Sequence, residues 1–215
     1  MSVDVDYLLG DVRDLLNDPN DTQIDIDTKI CYLNRGQAAM FPKIYRITVA
    51  EQELVDDVFT YEDENLLGTL GRLLTVGVEY RAGTGRYTPF VDYISPYNGL
   101  IEIQSYDLPA PAGNKIRSIA MVPLRPLVAT VGEGDGDPAS QYSGPAGTEE
   151  LPVLYAVALS ASKQLDDRLS YRRMNVMNVN NPIQPGDISG ASSFWFNQFY
   201  TLLDSLEMPP PSARY

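Results

Sequence analysis

From the start of the chain the apolar residues recur every three or four positions. Val5, Leu8, Val12, Leu15 and Leu16 form one helical stripe over about residues 4–17, and Asp18-Pro19-Asn20-Asp21 ends it as a turn. Ile26, Ile30, Leu33, Gln37 and Met40/Phe41 keep the same period in a second helix, with Asp25 or Asp27 to cap it and Pro42 to stop it. Two such helices expose an apolar face that a later element must cover. From Ile44 the period changes to two. Tyr45-Ile47-Val49, Leu74-Val76-Val78-Tyr80, Ile101-Ile103 and residues 115–122 read as short antiparallel strands. Asn98-Gly99, the tip 82–85 and Pro109–Gly113 are the turns between them, and residues 66–70 fit neither period.

Residues 131–147 are rich in Gly, Asp and Pro, with almost nothing to bury, and read as a flexible connection. The most regular element follows, a helix over Leu151–Arg173. Its stripe is Leu154, Val157, Ala158, Ala161, Leu165 and Leu169, with Thr148 placed to cap it, Glu149 and Glu150 at its positive end, and Arg168, Arg172 and Arg173 at its negative end. Its small residues predict a close neighbour. A polar loop over 174–190 leads to a last helix, Ser192 to Leu206, with Trp195, Phe199, Leu202 and Leu206 in register. Pro209-Pro210-Pro211 begins an extended tail. The expected class is α+β: a small helical bundle of two N-terminal and two C-terminal helices with an inserted antiparallel β domain. The expected divisions are 1–42 for the helical hairpin, 43–130 for the β insertion, 131–148 for the linker, 149–208 for the closing helices and 209–215 for the tail.

Composition then narrows the chemistry. The 215 residues contain no His, which removes His-based triads, a His general base and His-ligated metals within one chain. The single Cys31 excludes an internal disulfide or a CxxC site, and its helical setting suggests a buried thiol. A net charge of −13 opposes sequence-independent binding to the outside of nucleic acid. The N-terminus lacks the pattern of a signal peptide and no run reaches the length of a membrane span, so the expectation is a protein made in a reducing cytoplasm with no membrane partner.

Four stretches invite chemical readings. Residues 18–29 space their oxygens like a calcium loop, but Gln23 and Lys29 stand where Gly and Glu are needed; a turn with a helix cap fits better. Gly132–Asp137 has ligand oxygens but no framework, so a mobile loop is the simpler account. Gly83-Thr84-Gly85-Arg86 leads to a strand rather than a helix, which makes it a hairpin tip and not a phosphate loop. Carboxylate pairs such as Asp56/Asp57 and Asp166/Asp167 could serve glycoside hydrolysis, which needs no His, but Asp166/Asp167 make a poor pair because neighbours on a helix face apart. The expectation is no enzyme, no metal and no cofactor.

The surplus of aromatic residues points to contacts instead. Trp195 and Phe199 share a face suited to the core, whereas Phe194 and Phe196 point elsewhere; Tyr87, Tyr93 and Tyr97 crowd the β region. Candidate interface residues are therefore Trp195, Phe196, Phe199, Tyr87, Tyr93 and Tyr97, with Pro209, Pro210, Arg214 and Tyr215 in the tail as a docking segment or a frayed end. Asp166, Asp167 and Arg168, beside Lys163, form a subunit or channel surface, or an ordinary solvated helix face.

The order of parts resembles a known family. Leu33-Asn34-Arg35-Gly36-Gln37-Ala38 in an N-terminal helical pair, the strands of 78–123, the Ala-rich helix 150–173 ending in Arg, and a final aromatic helix together resemble the head-to-tail adaptor (connector) proteins of tailed bacteriophages. That resemblance implies a structural virion protein of the neck, a homo-oligomeric ring of usually twelve copies. It implies as partners the portal protein, neighbouring adaptor subunits and a stopper or tail-terminator protein. Double-stranded DNA would pass through without sequence-specific binding. Another neck or tail-completion protein, a Tyr-rich β binding module and a carboxylate hydrolase without His are the alternatives.

Overall fold

The computed structural model describes residues 3–55, 58–64, 66, 71–79, 82–90, 93–95, 99–104, 113–129, 140–174 and 185–206, with the side chains of 165–174 and 185–189 left aside. Within them lie four helices and two antiparallel sheets, so the chain is α+β. The helices are α1 (Val5–Leu16), α2 (Ile26–Met40), α3 (Glu150–Met174) and α4 (Pro185–Ser205). The strands are β1 (Arg46–Glu53), β2 (Thr60–Glu62), β3 (Arg72–Glu79), β4 (Tyr87–Phe90), β5 (Tyr93–Ile94), β6 (Leu100–Ile103) and β7 (Lys115–Val122). Residues group into two compact units: Met1–Ile44 with Leu124–Met208, and Tyr45–Pro123.

The ends of the first two helices follow local side-chain chemistry. Asp4 accepts from the Asp6 N–H and caps α1, which closes on Asn17 in the left-handed region; Asp25 accepts from the Thr28 N–H and caps α2. Thr148 does not serve α3 in this way. Its hydroxyl donates to the Pro145 carbonyl and bonds the buried Tyr142 hydroxyl, so the side chain fastens the approach to the helix rather than its first turn.

The helical unit is built on α3, which packs against α1, α2 and α4, while α1 and α2 barely touch each other. The sequence suggests one buried stripe on α3. Its N-terminal half is instead buried almost all round: Leu151, Val153, Leu154, Ala156, Val157, Ala158, Ser160 and Ala161 are all in the interior. Small side chains permit this, because three neighbouring helices can approach only where little projects. Gly36 of α2 marks a close approach to α3. A Cβ there would lie 2.9 Å from Pro152 Cα and 3.0 Å from Tyr155 Cβ.

Two stretches expected in the β insertion and the linker belong to this helical unit. Leu124 and Leu127 are in its core, and the Asn34 side-chain amide grips Leu127 twice, donating to its carbonyl (3.0 Å) and accepting from its N–H (2.7 Å). Residues 140–148 are held too: Val5 N–H donates to Ser140 O, Tyr142 N–H donates to Val3 O, and the Tyr142 ring is buried. A composition rich in Gly and Pro suggests a free connection; these backbone bonds and the buried Tyr142 ring hold this part of it in place. The remainder, including Gly132–Asp137, lies outside the described residues.

The second unit has sheets of order β1-β7-β3-β4 and β2-β6-β5. Val76, Val78, Phe90 and Ile116 from the first meet Tyr61, Ile101 and Ile103 from the second in one core. Pairing of Thr48 with Ala120 sets the register of β1, which reverses the phase expected from Ile47 and Val49: Thr48 is buried and Val49 is 50% exposed. The partner strand dictates this, since Ala120 and Val122 face Leu66 in a small core of their own and the residues opposite them must face the same way. Cys31 is likewise exposed rather than buried, one position beyond the inward-facing Ile30 on α2.

Two of the helical glycines, Gly36 and Gly10, should respond oppositely to the same change. Gly36→Ala should destabilise the protein by about 1–3 kcal/mol through overpacking. Gly10→Ala, where the added Cβ meets nothing within 4 Å, should stabilise it by about 0.5–1 kcal/mol. Chemical denaturation of the two variants beside the parent protein measures both signs.

Candidate interaction surfaces

The turn between α1 and α2 explains why residues 18–29 are not a calcium site. Lys29 is fully buried, and its ammonium lies 2.9 Å from Asp18 Oδ2 and 2.7 Å from Asp21 Oδ1. Arg13 forks onto Asp21 from the other side at 2.7–3.2 Å. The remaining lone pairs of Asp18 are taken by the backbone N–H groups of Thr22, Gln23 and Ile24. Two carboxylates and two cations thus form a neutral, hydrogen-bonded cluster, with an ammonium where a metal would have to sit. Burial alone would raise the Asp18 carboxyl; the Lys29 and backbone hydrogen bonds outweigh it and hold the group well below the usual carboxylate range. Among the described residues no group of three or more acidic or Cys side chains is arranged to hold a metal ion.

The loop 82–86 is a hairpin tip, with β3 and β4 paired antiparallel on either side. The loop amide is already occupied: the buried Glu79 carboxylate accepts from the Gly85 N–H (2.6 Å) and the Thr84 hydroxyl (3.2 Å).

In the helical unit the aromatic residues of α4 separate into core and surface. Phe199 is fully buried, Trp195 packs half-buried against the core, and Phe196 is half-buried. Phe196 and Phe199 meet the Tyr155 ring of α3 edge-on, with centroids 5.2 and 5.0 Å apart. Phe194 and Tyr200 remain 52% and 50% exposed, and meet the inward neighbour rings of Trp195 and Phe199 respectively, edge-on. Sequence periodicity sorted Phe199 from Phe194. It missed Tyr155 and Tyr200, whose roles depend on which faces of α3 and α4 meet.

In the β unit Tyr87 is not a free binding group. The Arg117 guanidinium sits 3.8 Å above its ring and bonds Glu51 through Nε and Nη2 at 2.9 and 2.6 Å. Gly77 leaves room for this stack, since a Cβ there would lie 3.1 Å from Tyr87 Cβ. Burial and then the Glu51 charge push the Tyr87 hydroxyl up, while the Arg117 hydrogen bond pulls Glu51 down. Tyr93 packs half-buried against the core between the sheets. Val49 is exposed on the same sheet face as Glu51 and Arg117, by alternation along β1 and register with β7. Of the other expected site residues, Tyr97, Pro209, Pro210, Arg214 and Tyr215 lie outside the described residues, as do Asp56 and Asp57. Asp166, Asp167 and Arg168 fall in the C-terminal half of α3, their side chains outside the described set.

No helix among the described residues is long and apolar enough to cross a membrane. No family model matches the chain, and no curated protein matches it.

The buried ion cluster has a testable signature. Lys29→Met should lower stability by about 3–5 kcal/mol at pH 7, because two carboxylates lose their buried cation. Asp18 and Asp21 both have folded values held below their unfolded value of about 3.9. The stability they contribute is therefore complete above that pH and is lost as pH falls through the folded values. Urea denaturation should show the gap between parent and variant narrowing from pH 7 to pH 3, and calcium or a chelator should shift neither curve.

Proposed function

We propose that the chain is a head-to-tail adaptor of a tailed bacteriophage: a non-enzymatic ring subunit in the virion neck that joins portal to tail and leaves a passage for the genome. The observation that carries this reading is the order of parts, a helical pair, then β strands, then a second helical pair that completes the first unit across the strands. We read this as a helical bundle with an inserted β domain. The Leu33–Ala38 stretch contributes to it structurally: Leu33 enters the core and Asn34 fastens the segment that leads from the strands to α3.

Three further features support the reading. The chain is strongly acidic, which suits a conduit that must not bind passing phosphates. Phe194 and Tyr200 offer exposed aromatic area on α4, the kind of surface that central interface residues occupy. The proline-led tail beyond Met208 is a low-entropy docking segment by composition. Its partners in this proposal are the portal protein, neighbouring copies and a stopper or tail-terminator protein.

Particle imaging of purified virions should place the protein as a ring at the neck; its absence there ends the proposal. Phe194→Ser with Tyr200→Ser should leave the circular dichroism spectrum and denaturation midpoint nearly unchanged. The same pair should weaken binding to portal-bearing capsids about tenfold or more. Unaltered binding would remove α4 from the interface.

A further inference from the structure

Helix α1 has a second face that stays exposed among the described residues. Val5, Leu8, Leu9 and Val12 point into the core. Tyr7, Asp11, Asp14 and Leu15, at spacings of four, three and one, share another side of the helix. Tyr7 is 63% exposed and Leu15 44% exposed, a high exposure for two large apolar side chains on one surface.

That face is one wall of a groove of about 890 Å³, and the first turn of α3 is the other, through Glu149, Glu150 and Val153. The groove is thus lined by apolar side chains and by five carboxylates, of which Asp4 caps α1 and Asp11, Asp14, Glu149 and Glu150 do not. No Lys or Arg among the described residues pairs with Asp11, Asp14, Glu149 or Glu150. Burial, and then the neighbouring Asp14 charge, raises the Asp11 carboxyl, as expected where like charges crowd without a cation.

The complementary segment is in the chain itself. Three of its sixteen basic residues, Arg168, Arg172 and Arg173, fall within six positions, a density found nowhere else in the sequence, and Leu169 and Tyr171 are interleaved with them. They occupy the C-terminal end of α3, whose N-terminal turn forms the groove. From Glu150 to Arg173 is roughly 35 Å along one continuous helix at ~1.5 Å per residue. A rigid helix cannot fold its end back over that distance, so a copy cannot fill its own groove.

We propose that the groove between α1 and the first turn of α3 receives the arginine-bearing C-terminal end of α3 from a second copy, joining copies head to tail. The contact is heterologous: each copy offers a groove at one end of α3 and its complement at the other. Such contacts continue from copy to copy, and the rotation per step decides between a closed ring and an open filament. This gives the adaptor reading a specific subunit contact but does not rest on it, since the groove and the helix end call for a second copy in any setting.

The test uses the full chain and two charge reversals, Asp11→Arg with Asp14→Arg, and Arg172→Glu with Arg173→Glu. Sedimentation equilibrium over a concentration and salt series should show the parent protein associating beyond a dimer, less so as salt rises. Each reversal should weaken association about 100-fold, since like charges brought together oppose each other by several kcal/mol. Mixing the two variants should restore it, because each then supplies the complement the other lacks; circular dichroism checks that both are folded. A parent protein that remains monomeric, a groove variant that associates like the parent, or a mixture that does not recover each overturns the proposal. A groove variant that loses capsid binding while associating normally also overturns it, and assigns the groove to a basic neighbour instead. Failure to bind capsids while the complementary mixture still assembles removes the adaptor reading alone.

Discussion

The helical unit depends on how closely α2 can approach α3. Gly36 lies against Pro152 and Tyr155 with no room for a methyl group, and around that point Ala156, Ala158 and Ala161 keep the surface of α3 low. Close packing of this kind gains dispersion contacts that a larger side chain would forfeit by holding the helices apart. It also explains the division of labour between the first two helices. They barely touch each other, so each is positioned by α3 and by the turn between them rather than by a shared seam.

That turn is where charge does the work that apolar area cannot. Residues 18–25 are nearly all polar, and a short polar turn leaves its backbone groups exposed to competition from water. Asp18 collects three backbone N–H groups and the Lys29 ammonium on one carboxylate, while Asp21 ties Lys29 to Arg13 of α1. The result fixes the angle at which α2 leaves α1. An apolar replacement of the whole cluster could match its stability, as buried ion pairs often do no better than hydrophobic packing. What the ions add is directionality, because only one arrangement satisfies all the donors.

Legibility in the sequence followed the range of the interaction. Helix ends set by a single capping side chain, such as Asp25 on Thr28, were readable because donor and acceptor are three residues apart. The strands were readable as period two. The phase of β1 was not, because Thr48 faces inward only through its pairing with Ala120, more than seventy residues away. Lys29 gave a negative signal, an ammonium at a position where calcium needs a carboxylate, and its positive role became visible only in three dimensions. Among candidate interface residues, Phe199 and Phe194 were separable by helical phase, whereas Tyr200 and Tyr155 required knowing how α3 and α4 meet. The groove on α1 was partly hidden for the opposite reason. Leu15 fits the apolar stripe by spacing, yet it is exposed beside Asp11 and Asp14.

Charge sets the condition under which copies of this chain can meet. Each carries a net −13, so at long range they repel. With a Debye length of about 8 Å at physiological salt, that repulsion fades beyond the nearest charges, and only what lies at the contact itself counts fully. An acidic groove against an arginine-bearing helix end reverses the local sign without altering the net charge. Association then has a weak long-range term against it and a short-range term for it. This is the balance expected of subunits that stay apart while dilute and join where something gathers them. On the adaptor proposal, a portal ring at a capsid vertex would gather them further by raising their effective concentration, so an acidic composition that weakens association of dilute copies is compatible with ordered assembly on a template.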